Sequence, residues 1–261
     1  MRQILLYFLL ALPFLASAQQ QDYEARWFSR DGGVLPYRIL LPLNYDAAKK
    51  YPLILVLHGA GERGNDNLAQ LKHGGKLFLN DTIRQKYPAI VIFPQCAQDA
   101  WWAPIRPKRD STGKFAGFEF PADAPPTKPA ALVHQLLDSL TASGSVDTRK
   151  VYVGGLSMGG MGTFDILARF PDRFAAAFPI CGAGNEALSS RYAKHTALWI
   201  FHGAEDKVVP PFSSRNFYAR LQEQKADVKY TEYPGVGHNS WENAFAEPQL
   251  LPWLFSHELK H

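Results

Sequence analysis

One serine stands in a setting that suits a nucleophile. In Val151-Tyr152-Val153-Gly154-Gly155-Leu156-Ser157-Met158-Gly159-Gly160-Met161-Gly162, a β-branched and aromatic run enters a cluster of glycines around Ser157, and a helix-like pattern follows over Thr163–Phe170. Gly155-Leu156-Ser157-Met158-Gly159 fits G-x-S-x-G, in which the serine occupies a tight, strained strand-to-helix turn. Glycines at the flanks let two backbones approach where a Cβ would clash. A serine hydroxyl is a weak nucleophile at its ordinary pKa, so it needs a base, usually histidine, held in the right tautomer by a carboxylate. Of the eight histidines, His238 has the best setting, in Gly235-Val236-Gly237-His238 just after the last strand-like run. Its competing role is to cap the following helix. His202, at the end of another such run, is its rival as base, and the other six read as structural or exposed. For the acid, His202-Gly203-Ala204-Glu205-Asp206-Lys207-Val208-Val209-Pro210 offers Asp206, with Glu205 as the fallback.

Attack by such a serine puts a negative charge on the substrate oxygen, and each preorganised N–H donor there is worth roughly 3–4 kcal/mol. The Met158 amide is one candidate donor. The loop His58-Gly59-Ala60-Gly61 should supply the second, from Ala60 or, failing that, Gly61. Glu62, Arg63, Trp101, Trp102 and Trp241 are candidates for contacting substrate. The tryptophans could equally pack their loops onto the core, and the charged pair could brace the loop. Gly59-Ala60-Gly61-Glu62-Arg63-Gly64 also fits the dinucleotide pattern G-x-G-x-x-G, with Asp81 near the distance of a ribose-binding acid. The polar Asn65-Asp66-Asn67 that follows is no start for a tightly packed helix, and that reading leaves Ser157, Asp206 and His238 without a purpose.

The elements that must position these residues alternate between strand and helix. Tyr23–Ser29 and Val34–Leu41 read as a hairpin turning at Asp31-Gly32-Gly33. Pro52–Leu57 and Ala89–Phe93 are continuous apolar runs, the mark of strands buried on both faces. Leu68–Leu79 is a helix interrupted by Gly74-Gly75, Ile83–Tyr87 a second, and 99–127 is Pro-rich and irregular. Then come helix Pro129–Leu140, the strand before Ser157, helix Thr163–Phe170, strand Ala175–Ile180, helix Glu186–Lys194, strand Ala197–Phe201, helix Ser213–Lys225, strand Val228–Tyr233 and a helix near Gln249–Leu259. The class is therefore α/β, with a mostly parallel sheet flanked by helices and an antiparallel N-terminal edge hairpin. In such sheets functional groups gather at the carboxyl ends of strands, where His58, Ser157, Asp206 and His238 fall.

Met1-Arg2, an apolar run from Ile4 to Leu15 and Ala16-Ser17-Ala18 read as a secretory leader cleaved after Ala18. The run is too short to span a bilayer, so the expectation is a secreted or periplasmic protein without a stable membrane anchor. About 240 residues then remain, one domain over 19–261. The formal charge of +4 is scattered, and its densest group, Arg106, Lys108 and Arg109, is no nucleic-acid footprint. Cys96 and Cys181 could form a disulfide or stay free and buried, and no zinc-ligand spacing is present.

Taken together, Leu57-His58-Gly59-Ala60-Gly61-Glu62-Arg63-Gly64, Pro94-Gln95-Cys96, Gly155-Leu156-Ser157-Met158-Gly159-Gly160, His202-Gly203-Ala204-Glu205-Asp206 and Gly237-His238 resemble secreted α/β-hydrolases of the polyhydroxybutyrate depolymerase, feruloyl esterase and predicted-peptidase group. The chain order serine, aspartate, histidine is that of the α/β-hydrolase fold. The resemblance covers nearly everything from Tyr23 onward. It implies a serine hydrolase, most often a carboxylesterase needing no cofactor, acting on small or polysaccharide-linked esters. A serine exopeptidase with the same three residues and a non-catalytic binding protein on a hydrolase scaffold are the alternatives.

Overall fold

Strand β1 (Glu24–Arg30) turns into β2 (Gly33–Leu40) through Asp31 and Gly32, both at positive φ, 49° and 68°. Two such residues make the type I′ turn whose twist suits a two-residue hairpin. In the computed structural model, which describes residues 22–259, this hairpin forms one edge of an eight-stranded sheet. The leader expected over residues 1–18 lies outside the described residues.

The remaining elements are β3 (Tyr51–Leu57), α1 (Gly75–Leu79), α2 (Asp81–Lys86), β4 (Ile90–Pro94), β5 (Arg106–Arg109), β6 (Phe115–Glu119), α3 (Lys128–Ala142), β7 (Val146–Leu156), α4 (Met158–Arg169), β8 (Ala176–Ile180), β9 (Ala197–Gly203), α5 (Phe212–Glu223), β10 (Val228–Tyr233), α6 (Trp241–Ala246) and α7 (Leu250–Phe255). The sheet order is β1-β2-β4-β3-β7-β8-β9-β10. Strand β2 runs antiparallel to both its neighbours, and every other pairing from β4 to β10 is parallel. This is the mostly parallel sheet with an antiparallel edge pair that the alternation predicts.

The sheet divides the core in two. Along β3, Leu53, Leu55 and Leu57 point to one cluster and Ile54 and Val56 to the other, as the two-residue period of a strand requires. The first cluster takes Leu132, Leu136 and Leu137 of α3, Phe164 and Leu167 of α4, and Phe217 and Leu221 of α5. Phe78 of α1, Ala244 of α6 and Leu250, Leu251 and Leu254 of α7 fill the second. Both faces being covered, β4, β8 and β9 are buried throughout.

Several expectations are corrected. The segment 99–127 contains a separate hairpin, β5 with β6, whose first strand is exposed at all four positions. Strand β7 starts five residues before Val151, and α4 begins at Met158 rather than Thr163. The stretch expected as helix Glu186–Lys194 is a 3-10 segment over Glu186–Arg191. Within Leu68–Leu79, only Ala69–Leu71 and α1 are helical, separated at Gly74, whose φ is 83°. Among the described residues, no helix is long and apolar enough to cross a membrane.

Candidate active site

Ser157 sits between β7 and α4 with φ 53° and ψ −114°, a conformation that an L-residue adopts only under constraint. The constraint is visible in the glycines around it. A Cβ on Gly159 would stand 2.0 Å from the Leu57 carbonyl oxygen, and one on Gly155 would stand 2.6 Å from that same oxygen. On the far side, a Cβ on Gly160 would meet the Ile180 carbonyl oxygen at 2.7 Å and Gly182 Cα at 2.9 Å. The first turn of α4 is thus wedged between the ends of β3 and β8, backbone against backbone. Ser157 N–H donates to Ile180 O at 2.9 Å, and the hydroxyl makes no capping bond, which leaves it free to point outward.

The hydroxyl meets His238. Ser157 Oγ lies 2.9 Å from His238 Nε2, and His238 Nδ1 lies 2.7 Å from Asp206 Oδ2. A carboxylate only accepts, so Nδ1 carries the hydrogen and Nε2 is left to accept from the serine. The loop bearing His238 is seated on the end of β9: Glu205 N–H donates to Val236 O and Ala204 N–H to Tyr233 O. Gly203 lets it come that close, since a Cβ there would stand 2.1 Å from Gly237 O. Capping is not the role of His238; Ser240 occupies that position on α6.

Asp206 is buried, whereas the fallback acid Glu205 is exposed. Burial pushes the Asp206 carboxyl up, but hydrogen bonds from His202, His238 and the Val208 and Val209 amides outweigh it and hold the group well below the usual carboxylate range. The donors from Val208 and Val209 lie at 2.8 and 3.0 Å. His202, the rival base, reaches the same carboxylate oxygen as His238 but makes no hydrogen bond to Ser157. Its Nε2 is 3.2 Å from Asp206 Oδ2 and 2.9 Å from Val209 O, two acceptors, so that nitrogen carries the hydrogen. Nδ1 faces Ser214 Oγ at 2.7 Å. A carboxylate gripped between two histidines is a feature that sequence reasoning missed, although His202-Gly203 at a strand end was its signal.

The loop after β3 lies against the same turn. Ala60 opens a 3-10 segment, Ala60–Glu62, and Met158 opens α4; the first amides of a helix have no intrahelical acceptor. Both N–H groups are therefore available to a negative oxygen. His58 fixes the loop's origin. Its Nδ1 donates to Gly59 O at 2.6 Å, its Nε2 accepts from Cys96 N–H at 2.9 Å, and burial pushes its pKa down to about 4. The G-x-G-x-x-G stretch is followed by no helix that could receive a phosphate, and Asp81 is an exposed residue in the first turn of α2.

The residues proposed to contact substrate fall into two groups. Trp102 is buried: its Nε1–H donates to His58 O at 3.1 Å and its Cβ fills the space beside Gly162, so it packs the loop and is not open to a ligand. Glu62 is also buried, with His73 Nε2 at 3.4 Å and Lys72 Nζ at 3.9 Å, and braces the loop after β3 from within. Arg63 bonds Ala60 O and Ala100 O and lies 5.1 Å over the half-exposed ring of Trp101. Trp241 meets His238 edge-on at 5.4 Å between ring centroids and stacks obliquely on His73. Arg63, Trp101 and Trp241 thus remain at the margin of the site.

Cys96 and Cys181 are free and buried. They follow β4 and β8, strands that are three spacings apart in the sheet, roughly 14 Å against the ~7 Å limit for a disulfide. Cys181 shares a patch with Asp206 and His238, their ligand atoms within 4.8 Å. Burial pushes its thiol up to about 12, and Asp206 and His238 are already joined by a hydrogen bond.

The sequence profile of a family described as Phospholipase/Carboxylesterase matches residues 44–249. A bifunctional acetylxylan esterase/xylanase of Neocallimastix patriciarum is 26% identical over 72% of this chain, which spans only 24% of that relative. A poly(3-hydroxyoctanoate) depolymerase of Pseudomonas fluorescens is 26% identical over 90% of this chain and 85% of its own. Among solved structures, a thermostable esterase superposes with a TM-score of 0.81 at 33% identity, covering 91% of this chain and 64% of that one. The architecture is the α/β-hydrolase fold.

Proposed function

Because the chain belongs to the phospholipase/carboxylesterase family, we propose that it hydrolyses carboxylic esters through an acyl-enzyme on Ser157. The observation that carries this reading is the continuous hydrogen-bonded line from Ser157 Oγ through His238 to Asp206. As Ser157 Oγ bonds to the ester carbonyl carbon, its proton passes to His238 Nε2. Asp206, ionised and fully hydrogen-bonded, stabilises the imidazolium without taking its proton. The oxyanion is received by the amides of Met158 and Ala60. Collapse breaks the C–O bond to the alcohol, which leaves with the proton from His238. Water then gives a proton to His238, attacks the acyl carbon and releases the acid, and Ser157 regains its hydrogen.

The acetylxylan esterase among the relatives supports an ester attached to a polysaccharide as substrate, alongside small esters. The leader read over residues 1–18 supports an exported enzyme, secreted or periplasmic. Ser157→Ala should abolish turnover of p-nitrophenyl acetate and labelling by a fluorophosphonate while the circular dichroism spectrum is unchanged. Undiminished turnover in that variant would refute the proposal. A panel of acetyl, longer acyl, feruloyl and hydroxybutyrate esters then reads out acyl preference.

A further inference from the structure

The β1–β2 hairpin carries two of the four large apolar side chains exposed on the described surface, Trp27 at 59% and Val34 at 61%. A solitary exposed apolar residue needs no explanation, but these two are organised. Trp27 is the cross-strand partner of Pro36, and Val34 lies two residues from Pro36 along β2, so the three share one face of the hairpin. That face opens onto a groove of about 580 Å³, within the range of small-molecule sites, roughly 300–1,000 Å³.

Four polar side chains line it as well, Asn65, Gln95, Asp99 and Lys128, among apolar ones that include Leu35, Pro129 and Leu132. Asn65 and Asp99 line the groove with exposed side chains, and among the described residues neither has a hydrogen-bond partner. Lys128 lines it too and donates to Gly32 O. An open indole face beside an unengaged amide and carboxylate matches a pyranose ring. The apolar C–H face of the sugar stacks on tryptophan while its equatorial hydroxyls bond to the planar polar groups.

The position of the groove is also informative. Gly64, Asn65, Gln95 and Ala100 line it, and they lie just beyond the carboxyl ends of β3 and β4. Gln95 N–H donates to Pro36 O, which sets the partner of Trp27 level with those ends. The groove therefore opens at the same end of the sheet as Ser157. The boundary between them is the oxyanion loop itself, held by Gly64 N–H to Cys96 O and Arg63 to Ala100 O. From β7 to β1 is four strand spacings, about 19 Å.

We infer that this groove binds the pyranose backbone of a polysaccharide whose ester-bearing unit lies at Ser157, with Trp27 as the stacking platform and Asn65 and Asp99 as hydrogen-bonding partners. This rests on the esterase reading for the role of Ser157, but the binding itself needs no chemistry. It gives the enzyme a preference for esters on a chain over the same acyl group on a small alcohol.

The test separates binding from turnover. Binding of xylohexaose to the Ser157→Ala protein is measured by titration calorimetry, with and without Trp27→Ala, and with Phe212→Ala as a control at an exposed apolar residue outside the groove. The expected result is binding that weakens about tenfold on loss of Trp27, the scale of one aromatic stacking contact, and is unchanged by Phe212→Ala. With Ser157 intact, Trp27→Ala should lower kcat/KM on acetylated xylan by a similar factor and leave p-nitrophenyl acetate turnover unaltered. No binding of xylohexaose, equal weakening by both substitutions, or Trp27-dependent adsorption to a polyhydroxyalkanoate film in place of the sugar overturns the proposal. Loss of p-nitrophenyl acetate turnover in the unsubstituted enzyme would instead refute the esterase reading and leave the binding result standing.

Discussion

Gly203 offers a direct test of how His238 is held, because the perturbation is one methyl group and its collision is defined. A Cβ at this position would stand 2.1 Å from Gly237 O and 2.4 Å from Val236 O, whereas ordinary contact begins at 3.4 Å. Both neighbours are backbone, so no side chain can swing aside. The 236–237 loop is further tied to β9 through Val236 O and Tyr233 O. In Gly203→Ala the loop must retreat by about 1 Å or more, and His238 travels with it. A 1 Å misplacement of a catalytic group costs about a hundredfold in rate, and overpacking of this kind costs about 1–3 kcal/mol, or roughly 2–12 °C in Tm for a chain of this size. Gly203→Ala should therefore lower kcat/KM on p-nitrophenyl acetate about a hundredfold while the protein still melts cooperatively, a few degrees early. Gly237→Ala is the control, since nothing lies within 4 Å of a Cβ there, and it should stay near wild-type activity. Activity of Gly203→Ala within a factor of five of wild type, or equal impairment of the control, would show that the loop is not positioned by this contact.

Two further outcomes follow from buried groups beside the site. His58 is neutral in the folded protein, with its pKa pushed down to about 4 by burial, while an unfolded chain protonates it near 6.5. Between those values the unfolded state binds the extra proton, so this group's contribution to stability is full above about pH 6.5 and falls as the pH drops to about 4, a loss of about 3 kcal/mol. Urea unfolding at pH 7 and 4.5 should show a distinctly smaller acid loss for His58→Gln than for wild type; equal losses would rule this linkage out. Trp102→Ala removes a buried indole and its bond to His58 O, which should cost about 3–5 kcal/mol and be seen as a lowered urea midpoint. A midpoint unchanged from wild type would contradict the packing role and return Trp102 to the list of substrate contacts.

What the sequence made legible, and what it hid, follows the range of the forces involved. The apolar runs of β3 and β4 announce strands buried on both faces, and Asp31-Gly32 announces its turn, because those signals are local. The line of Ser157, Asp206 and His238 is legible because each follows the carboxyl end of a strand, and strand ends converge. The first turn of α4 was not legible, since glycine-rich sequence has poor helix propensity; tertiary wedging against Leu57 and Ile180 overrides it. Strand β5, exposed throughout, has no inner face and hence no alternation to detect. Trp102 and Glu62 kept two readings in the sequence, substrate contact or packing, because their partners, His58 with Gly162 and His73 with Lys72, are set by the fold rather than by neighbouring sequence. The pairing of Cys96 with Cys181 depended on strand order, in which β3 and β7 intervene.

The backbone-to-backbone wedge of Gly155, Gly159, Gly160 and Gly182 has a consequence for how this scaffold can be varied. Four positions around Ser157 admit no side chain, so its placement is closed to gradual tuning by point substitution. Room for variation lies in segments that pack near the wedge through side chains, such as 97–127, whose Phe118 and Phe120 pack beside Met161 and Val209. A library built to redirect acyl preference should randomise that wall and leave the glycines alone, and its active members should share one serine geometry whatever ester they come to prefer.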